Sequence, residues 1–296
     1  MTRWLSGVLG LTMATAAIVA PSPVSAAMSG EQINEVARNI TVLISGKDSH
    51  GSGSIISRSG STYYVLTAKH VVSVKDDYRI VTIDQKAHPI DFSKIKFLPD
   101  KDLAIIEFTS DENYKVATLA NSDLASEGAQ VFISGWPQPG GTGQLIRQFT
   151  DGRISGFLIE PIEGYKMVYT NVTRRGMSGG PVLDAGGRVV GVHGLGDTED
   201  PLSLERQGLS PEAATSIASL IKPGFNYAIP INTFLTSAPM AGIFLSLDVD
   251  NSPVKATETP VVVTQQTDSR DRIDNLDNVL RNIDTGTRII RRFLPF

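Results

Sequence analysis

The chain of 296 residues contains no cysteine. That single absence excludes disulfide cross-links, thiolate catalysis and cysteine-ligated zinc. An excess of positive charge is also missing. Lys and Arg number 27 against 31 Asp and Glu, for a net charge of −4, so no basic field exists to attract nucleic acid. Histidine occurs only four times, at positions 50, 70, 88 and 193. No internal repeat is visible, and no group of ligating residues has metal-site spacing. Asp76, Asp77, Asp84, Glu199 and Asp200 offer carboxylates to a calcium ion, but scattered acidic loops of this kind are ordinarily just solvated. No metal and no cofactor is expected.

Long apolar runs are scarce as well. The one extended run is Leu5 to Ala20, preceded by Arg3 and closed by Pro21 and Pro23. Small residues follow at Val24-Ser25-Ala26. This is the arrangement of an export leader, with cleavage expected after Ala26. The run falls short of a comfortable bilayer span, so stable membrane insertion is not expected. The mature chain is expected to be periplasmic, lumenal or secreted. With no covalent staples, it must be held by its core alone.

What the sequence does have is a serine in a glycine-rich turn, Gly176-Met177-Ser178-Gly179-Gly180-Pro181, with strand-like segments on both sides. Such a turn exposes a hydroxyl and aims two backbone N–H groups at one point, as a nucleophile and its oxyanion hole require. Two other segments join it. Tyr63 to Val72 is a β-rich apolar run ending in His70. Asp100-Lys101-Asp102-Leu103-Ala104-Ile105 is a charged entry into a strand, with Asp100 and Asp102 both available as carboxylates. Neutral imidazole takes the proton of a serine hydroxyl near pH 7, and a carboxylate on the other ring nitrogen fixes its tautomer. His50, in a Ser/Gly-rich turn, and His88, before a proline, read as ordinary surface positions.

Ser29 to Arg38 reads as a short amphipathic helix capped by Ser29. From residue 40 the pattern changes to short strands separated by turns. These are Thr41–Ser45, Gly53–Ser57, Thr62–Thr67, Tyr78–Ile83, Ile95–Leu98 and Leu103–Phe108, then Val116–Leu119, Gln130–Ser134, Arg147–Leu158, Lys166–Val172, Pro181–Leu183, Arg188–Val192 and Asn226–Ile229. Many short strands at regular spacing predict an all-β sandwich or barrel. Asp197 to Pro223 interrupts the series with a loop or lid in which Ser210-Pro211 opens a helix, and Asn232 to Leu235 opens a short closing helix. Residues 250–268 read as an extended linker. Residues 269–296 form an amphipathic helical tail, with Ile273, Leu276, Val279, Leu280 and Ile283 on one face. That tail, over residues 270–296, offers a surface for a partner or for self-association, or packs on its own domain.

Thr67-Ala68-Lys69-His70, Asp102-Leu103-Ala104 and Gly176-Met177-Ser178-Gly179-Gly180-Pro181 resemble the three catalytic blocks of trypsin-like (chymotrypsin-fold) bacterial serine peptidases. The likeness is to glutamyl endopeptidases and to the protease domain of high-temperature-requirement proteases, and it covers about residues 38 to 240. It implies two six-stranded antiparallel β-barrels, chymotrypsin-like, with short helices and the C-terminal helical tail. The domain would run from 27 to 249, with barrel 1 at about 40–110 and barrel 2 at about 116–240, after a signal peptide of residues 1–26. The resemblance makes His70 the general base, Asp102 its orienting carboxylate and Ser178 the nucleophile, with the N–H groups of Gly176 and Ser178 as the oxyanion hole. Lys69 replaces the usual small residue; on a strand its side chain would point away from His70. Met177 replaces the aspartate with which digestive relatives capture a freed N-terminus. No PDZ module is expected.

The same resemblance points to Thr173 and His193 as substrate-binding residues, and to a preference for Glu before the scissile bond. Val172, near the expected base of that pocket, argues against a trypsin-like acidic base. An imidazolium about 4 Å from a carboxylate gains roughly 4 kcal/mol at an effective dielectric near 20. The implied activity is peptide-bond hydrolysis in a polypeptide substrate through an acyl-enzyme. Two alternatives stand beside it: a catalytically silent binding protein that works through its tail, and a secreted esterase. An α/β-hydrolase elbow at Gly176-x-Ser178-x-Gly180 is excluded, because that fold needs its acid and histidine after the serine in separate elements, and only His193 follows.

Overall fold

The computed structural model describes residues 26–47, 49–139, 143–196, 210–211 and 224–254. The export leader, nearly all of the Asp197–Pro223 insertion, most of the linker and the helical tail lie outside the described residues.

Helix α1 (Gly30–Ile40) begins at a capping box. The Ser29 hydroxyl accepts from Gln32 N, and the Gln32 side chain accepts from Ser29 N at 2.8 Å. Both N–H groups would otherwise be orphaned at the helix start. Ile33, Ala37 and Ile40 form its buried face. The chain then passes directly into β1 (Thr41–Ser45).

The first half of the body is an antiparallel sheet of seven strands in the order β5-β4-β1-β2-β3-β7-β6. Here β2 is His50–Ser59, β3 Thr62–Thr67, β4 Arg79–Val81, β5 Ala87–Pro89, β6 Lys96–Phe97 and β7 Ala104–Thr109. Alternation of β-branched and aromatic residues places Ile55, Tyr63, Val65 and Ile106 in one apolar cluster. Its edges do not pair, so this half is a curved half-barrel with one strand more than six. The extra strand, β5, is short and polar, and its His-Pro content gave no β signal.

The second half closes. Strands β9 (Gln130–Gly135), β10 (Gln148–Ile162), β11 (Tyr165–Tyr169), β12 (Pro181–Asp184), β13 (Val189–Gly196) and β14 (Asn226–Pro230) run β12-β9-β10-β11-β14-β13, and β13 pairs back onto β12. Closure removes the free edges of a six-stranded barrel. Two short parallel strands, β8 (Thr118–Ala120) and β15 (Asp248–Asp250), extend it beyond β13. The Arg188 guanidinium fixes this extension by ion pairs to Asp184 at 2.7 Å and Asp250 at 2.9 Å. Helix α2 (Ile231–Met240) follows β14 and buries Phe234.

One apolar cluster joins the two halves. It takes Ile56, Leu66, Leu98, Leu103 and Ile105 from the first, and Phe132, Tyr165, Leu183, Val189 and Ile229 from the second, with the inner faces of α1 and α2. This shared core positions the loops of one half against the strands of the other. The architecture is all-β and chymotrypsin-like.

Candidate active site

His70 does not sit on a strand. β3 ends at Thr67, and Lys69–Val71 form a single 3-10 turn. Lys69 is exposed there, so tolerance of its bulk comes from the turn and not from strand alternation. The turn is clamped by Asp102 at three points. Lys69 N donates to the Asp102 carbonyl at 3.2 Å, His70 N donates to Oδ1 at 2.8 Å, and His70 Nδ1 lies 2.6 Å from Oδ2. An ionised carboxylate only accepts, so Nδ1 carries the proton and Nε2 is left as the basic nitrogen. Asp100, the rival carboxylate, is exposed and adopts φ +54° in the turn leading to β7. Its role is to turn the chain so that Asp102, 7% exposed, enters the interior.

Burial pushes the Asp102 carboxyl up, but the His70 bond and then a bond from the Tyr165 hydroxyl outweigh it and hold the group below its ordinary value. The Tyr165 hydroxyl lies 2.5 Å from Oδ2. Burial and the neighbouring Asp102 charge push that phenol far above its ordinary value, so it remains a donor. The Asp102 N–H in turn donates to Glu163 O at 2.9 Å, in the turn between β10 and β11. Asp102 is therefore gripped from both halves.

Ser178 is presented by the loop between β11 and β12. Gly176 has φ +91° and Gly179 φ +83°, conformations that L side chains rarely adopt. A Cβ on Gly179 would also lie 2.1 Å from Ser52 O and from the Thr67 hydroxyl, so the loop is pressed against β2 and β3. Arg175 O accepts from Gln138 N at 2.8 Å, which turns the N–H of Gly176 the opposite way in a trans peptide. Among the described residues neither Gly176 N nor Ser178 N donates to a protein acceptor, so both are available as oxyanion donors. Met177 between them is fully buried in the second barrel's core. Apolar burial thus anchors the loop where relatives use a charge.

The Ser178 hydroxyl donates to Gly194 O at 3.2 Å. No hydrogen bond joins it to the His70 ring among the described residues.

Ser52 carries no motif, and sequence reasoning missed it. It is fully buried on β2, holds the serine loop by its N–H and hydroxyl, and uses every polar atom it has. Its N–H donates to Ser178 O at 2.8 Å, and its hydroxyl donates to Gly176 O at 2.8 Å while accepting from Trp136 N at 2.8 Å. Its carbonyl accepts from the Thr67 hydroxyl at 2.7 Å. His50 is likewise not the free surface residue its turn-like context implied. Its Nε2 lies 3.0 Å from Trp136 O and fills the space where a side chain on Gly176 would go. His88 is half-buried on β5, with its ring 4.8 Å from that of Phe108. A Ser/Gly-rich run and a following proline hid both placements.

His193 pairs with the serine loop, and Thr173 lies earlier in the same β11–β12 connection that carries Ser178. His193, 1% exposed on β13, pairs by its backbone with the loop: Gly179 N donates to its carbonyl at 2.7 Å, and its own N–H donates to Gly180 O at 3.0 Å. Its Nδ1 lies 2.6 Å from the hydroxyl of Tyr169, a phenol that burial raises well above its ordinary value. Thr173 donates to the Asn226 side chain, whose amide donates to Asn171 O at 2.6 Å. Val172, expected near the pocket base, is instead 59% exposed. The buried residues at that end are Asn171, Thr173 and Asn226. Among the described residues no cluster of three or more His, Asp and Glu side chains is placed to hold a metal.

This fold, with a histidine–aspartate pair from one half facing a serine loop from the other, defines the class of trypsin-like serine peptidases. Residues 51–192 match the family model of the trypsin-like peptidase domain. The chain is similar to the non-structural polyproteins 1A and 1AB of mink astrovirus 1, at 29% identity over 160 residues in each case. Those matches cover 52% of this chain but only 15% and 10% of the polyproteins. Its fold is similar to that of a serine endoprotease from Yersinia pestis, with a TM-score of 0.54 and 19% identity. That likeness covers 72% of this chain and 66% of the other.

Two outcomes follow from the site's geometry. Ser52→Ala removes the hydroxyl that ties Gly176 O to Trp136 N. It should lower the labelling rate of Ser178 by a fluorophosphonate on the order of 10- to 100-fold, and stability by about 1–3 kcal/mol, the cost of two buried groups losing a partner. Labelling kinetics and urea unfolding check this. Asp102, with its carboxyl held below 3.8, adds stability that is full above that value and is lost as pH falls through the depressed native value. Asp102→Asn should therefore flatten the stability profile below about pH 4, measured by thermal melts across that range.

Proposed function

We propose that the protein is an exported serine endopeptidase that hydrolyses polypeptides through an acyl-enzyme. The observation that carries the reading is the Asp102–His70 pair, with its protonated Nδ1 and basic Nε2, together with a serine loop held on β2 by Ser52, in which the N–H groups of Gly176 and Ser178 have no protein acceptor among the described residues. Ser178 attacks the scissile carbonyl as His70 takes its proton. Gly176 N and Ser178 N receive the oxyanion, and the imidazolium then protonates the leaving amine. The role of Asp102 is to hold ring and tautomer while that charge exists. Substrate enters as an extended segment along the groove between the halves. Export rests on the leader-like residues 1–26, which direct the chain to the periplasm, a lumen or the medium.

The pocket reading is a preference for Glu before the cut. His193 supplies the donor at its wall, Thr173 would donate once its hydroxyl turned from Asn226, and Tyr169 supports both charge states of His193. A phenol donates to neutral imidazole and accepts from imidazolium. A polar pocket also rejects apolar residues, because its own groups would be left without partners.

A silent scaffold is the second reading, and one observation favours it: the Ser178 hydroxyl rests on Gly194 O and not on His70. Catalysis requires that hydroxyl to rotate to Nε2. Fluorophosphonate labelling separates the readings, since an active peptidase is labelled at Ser178 and a silent fold is not. Relative turnover of peptide and ester substrates distinguishes a peptidase from an esterase.

Ser178→Ala should reduce casein hydrolysis on the order of a millionfold; turnover at the parent rate would overturn the assignment. A peptide library should show cleavage after Glu, and His193→Ala should lose that preference while Ser178 keeps its reactivity towards a small phosphonylating probe. Cleavage mainly after Lys, Arg or large apolar residues would defeat the acidic-residue pocket.

A further inference from the structure

We propose that Tyr165 is a positioning residue for the Asp102–His70 pair, and that Gly194 is glycine because its missing side chain leaves the path for the Tyr165 hydroxyl. The inference rests on the peptidase reading for its catalytic meaning, though not for its geometry.

Three features of the site support it. First, Tyr165 is only 1% exposed, and its hydroxyl donates to the same carboxylate oxygen, Oδ2, that receives His70 Nδ1–H. A second donor on that oxygen fixes the carboxylate's rotation, which otherwise is restrained only by the His70 N–H on Oδ1. Second, the phenol approaches through β13. A Cβ on Gly194 would lie 1.8 Å from the Tyr165 hydroxyl oxygen and 2.7 Å from its ring carbon Cζ. Those distances leave no room for both a side chain at 194 and the tyrosine. Third, Gly194 O accepts the Ser178 hydroxyl. The residue that admits the tyrosine also holds the nucleophile at rest, so one backbone segment touches both ends of the relay.

The register of β11 supplies the tyrosine. Residues 165, 167 and 169 face the interior of the barrel, as the period of two requires. Tyr165 backs Asp102 and Tyr169 backs His193, so a single strand stands behind both histidine sites. The charged and titratable groups around Asp102 are His70 and Lys69 from the 3-10 turn, Tyr165 from β11, and Lys101 and Glu163 from the adjoining turns.

The test is Tyr165→Phe, which keeps the ring and removes one donor. Loss of that donor leaves Asp102 a stronger base with a freer rotation. In the full-length protein, kcat for a peptide substrate should fall about tenfold, with KM changed less than about twofold, the worth of one hydrogen bond to a charged group. The acid limb of the kcat/KM profile should move to higher pH, because a more basic carboxylate holds the imidazolium more tightly. Gly194→Ala should displace the phenol and move the acid limb the same way, and the double variant should be less than additive. A packing role alone would lower the melting temperature and leave the acid limb in place, which would overturn the proposal. Proton NMR supplies a readout free of turnover. The low-field resonance of His70 Nδ1–H should shift in Tyr165→Phe, and an unchanged resonance also overturns the proposal. If the parent is not labelled by fluorophosphonate, the peptidase reading fails by itself, while the resonance still decides whether Tyr165 acts on the pair.

Discussion

The contact on which the site depends is the grip of Ser52 on the serine loop. β2 belongs to the half-barrel and the loop to the closed barrel, yet the N–H and hydroxyl of Ser52 bind Ser178 O and Gly176 O directly. Both Gly176 and Ser178 are the residues whose N–H groups would meet an oxyanion. Holding those carbonyls fixes the loop's backbone, and the Arg175 carbonyl, engaged by Gln138 N, turns the Gly176 N–H away from it. A chain without cysteine has no covalent means of tying a loop to a neighbouring sheet, and here two buried hydrogen bonds and a close glycine contact take that place. Such bonds contribute about 1 kcal/mol each when made, but cost up to about 3 kcal/mol when one partner is left buried and alone. The geometry is therefore enforced more by the penalty for breaking it than by the gain from forming it.

Asp102 is held by the opposite logic. The half-barrel supplies the carboxylate and the histidine, and the closed barrel supplies Tyr165 and the Glu163 carbonyl. Each half thus completes the other's part of the candidate site. Ser52 reaches from the first to shape the loop of the second, and Tyr165 reaches from the second to hold the carboxylate of the first. The shared apolar core, which includes the Tyr165 ring itself, makes these reaches short and fixed. Rigid interlocking of this kind suits a site whose donors must be aimed before charge develops.

Much of this was legible in the sequence, and what was not has physical reasons. Strand β3 was read to its exact ends because Thr62–Thr67 combines β-branched and aromatic residues with turn signals on both sides. Tyr78–Ile83 and Ile95–Leu98 overrun β4 and β6 by five residues in all, because ladder pairing ends before the apolar run does. β5 and β15 were unseen because three-residue edge strands carry no periodicity. The residues of the serine loop announced themselves through glycine, whose absence of a side chain is required at close contact. Ser52, His50 and Tyr165 did not, because each acts through contacts made by the tertiary fold, such as those to Gly176, Trp136 and Asp102, which lie 124, 86 and 63 positions away along the chain. A serine among serines and a tyrosine on an apolar strand look the same whether or not they meet a distant carbonyl or carboxylate. Gly194 held the only local hint, an unbranched position just after His193 in a strand otherwise rich in valine.

The resting orientation of Ser178 can be weighed in the same terms. Its bond to Gly194 O, at 3.2 Å, is long for a hydroxyl donor, whose usual distance is about 2.7–2.8 Å. A hydroxyl that turns from this carbonyl to a basic imidazole nitrogen within reach exchanges one acceptor for a stronger one, so such a turn costs at most about 1 kcal/mol. That corresponds to roughly a fivefold population difference, small beside the barriers that peptide hydrolysis must overcome. The carbonyl of Gly194 is better seen as a parking acceptor than as a lock. It engages the Ser178 hydroxyl proton, and it does so from the residue whose bare backbone leaves room for Tyr165.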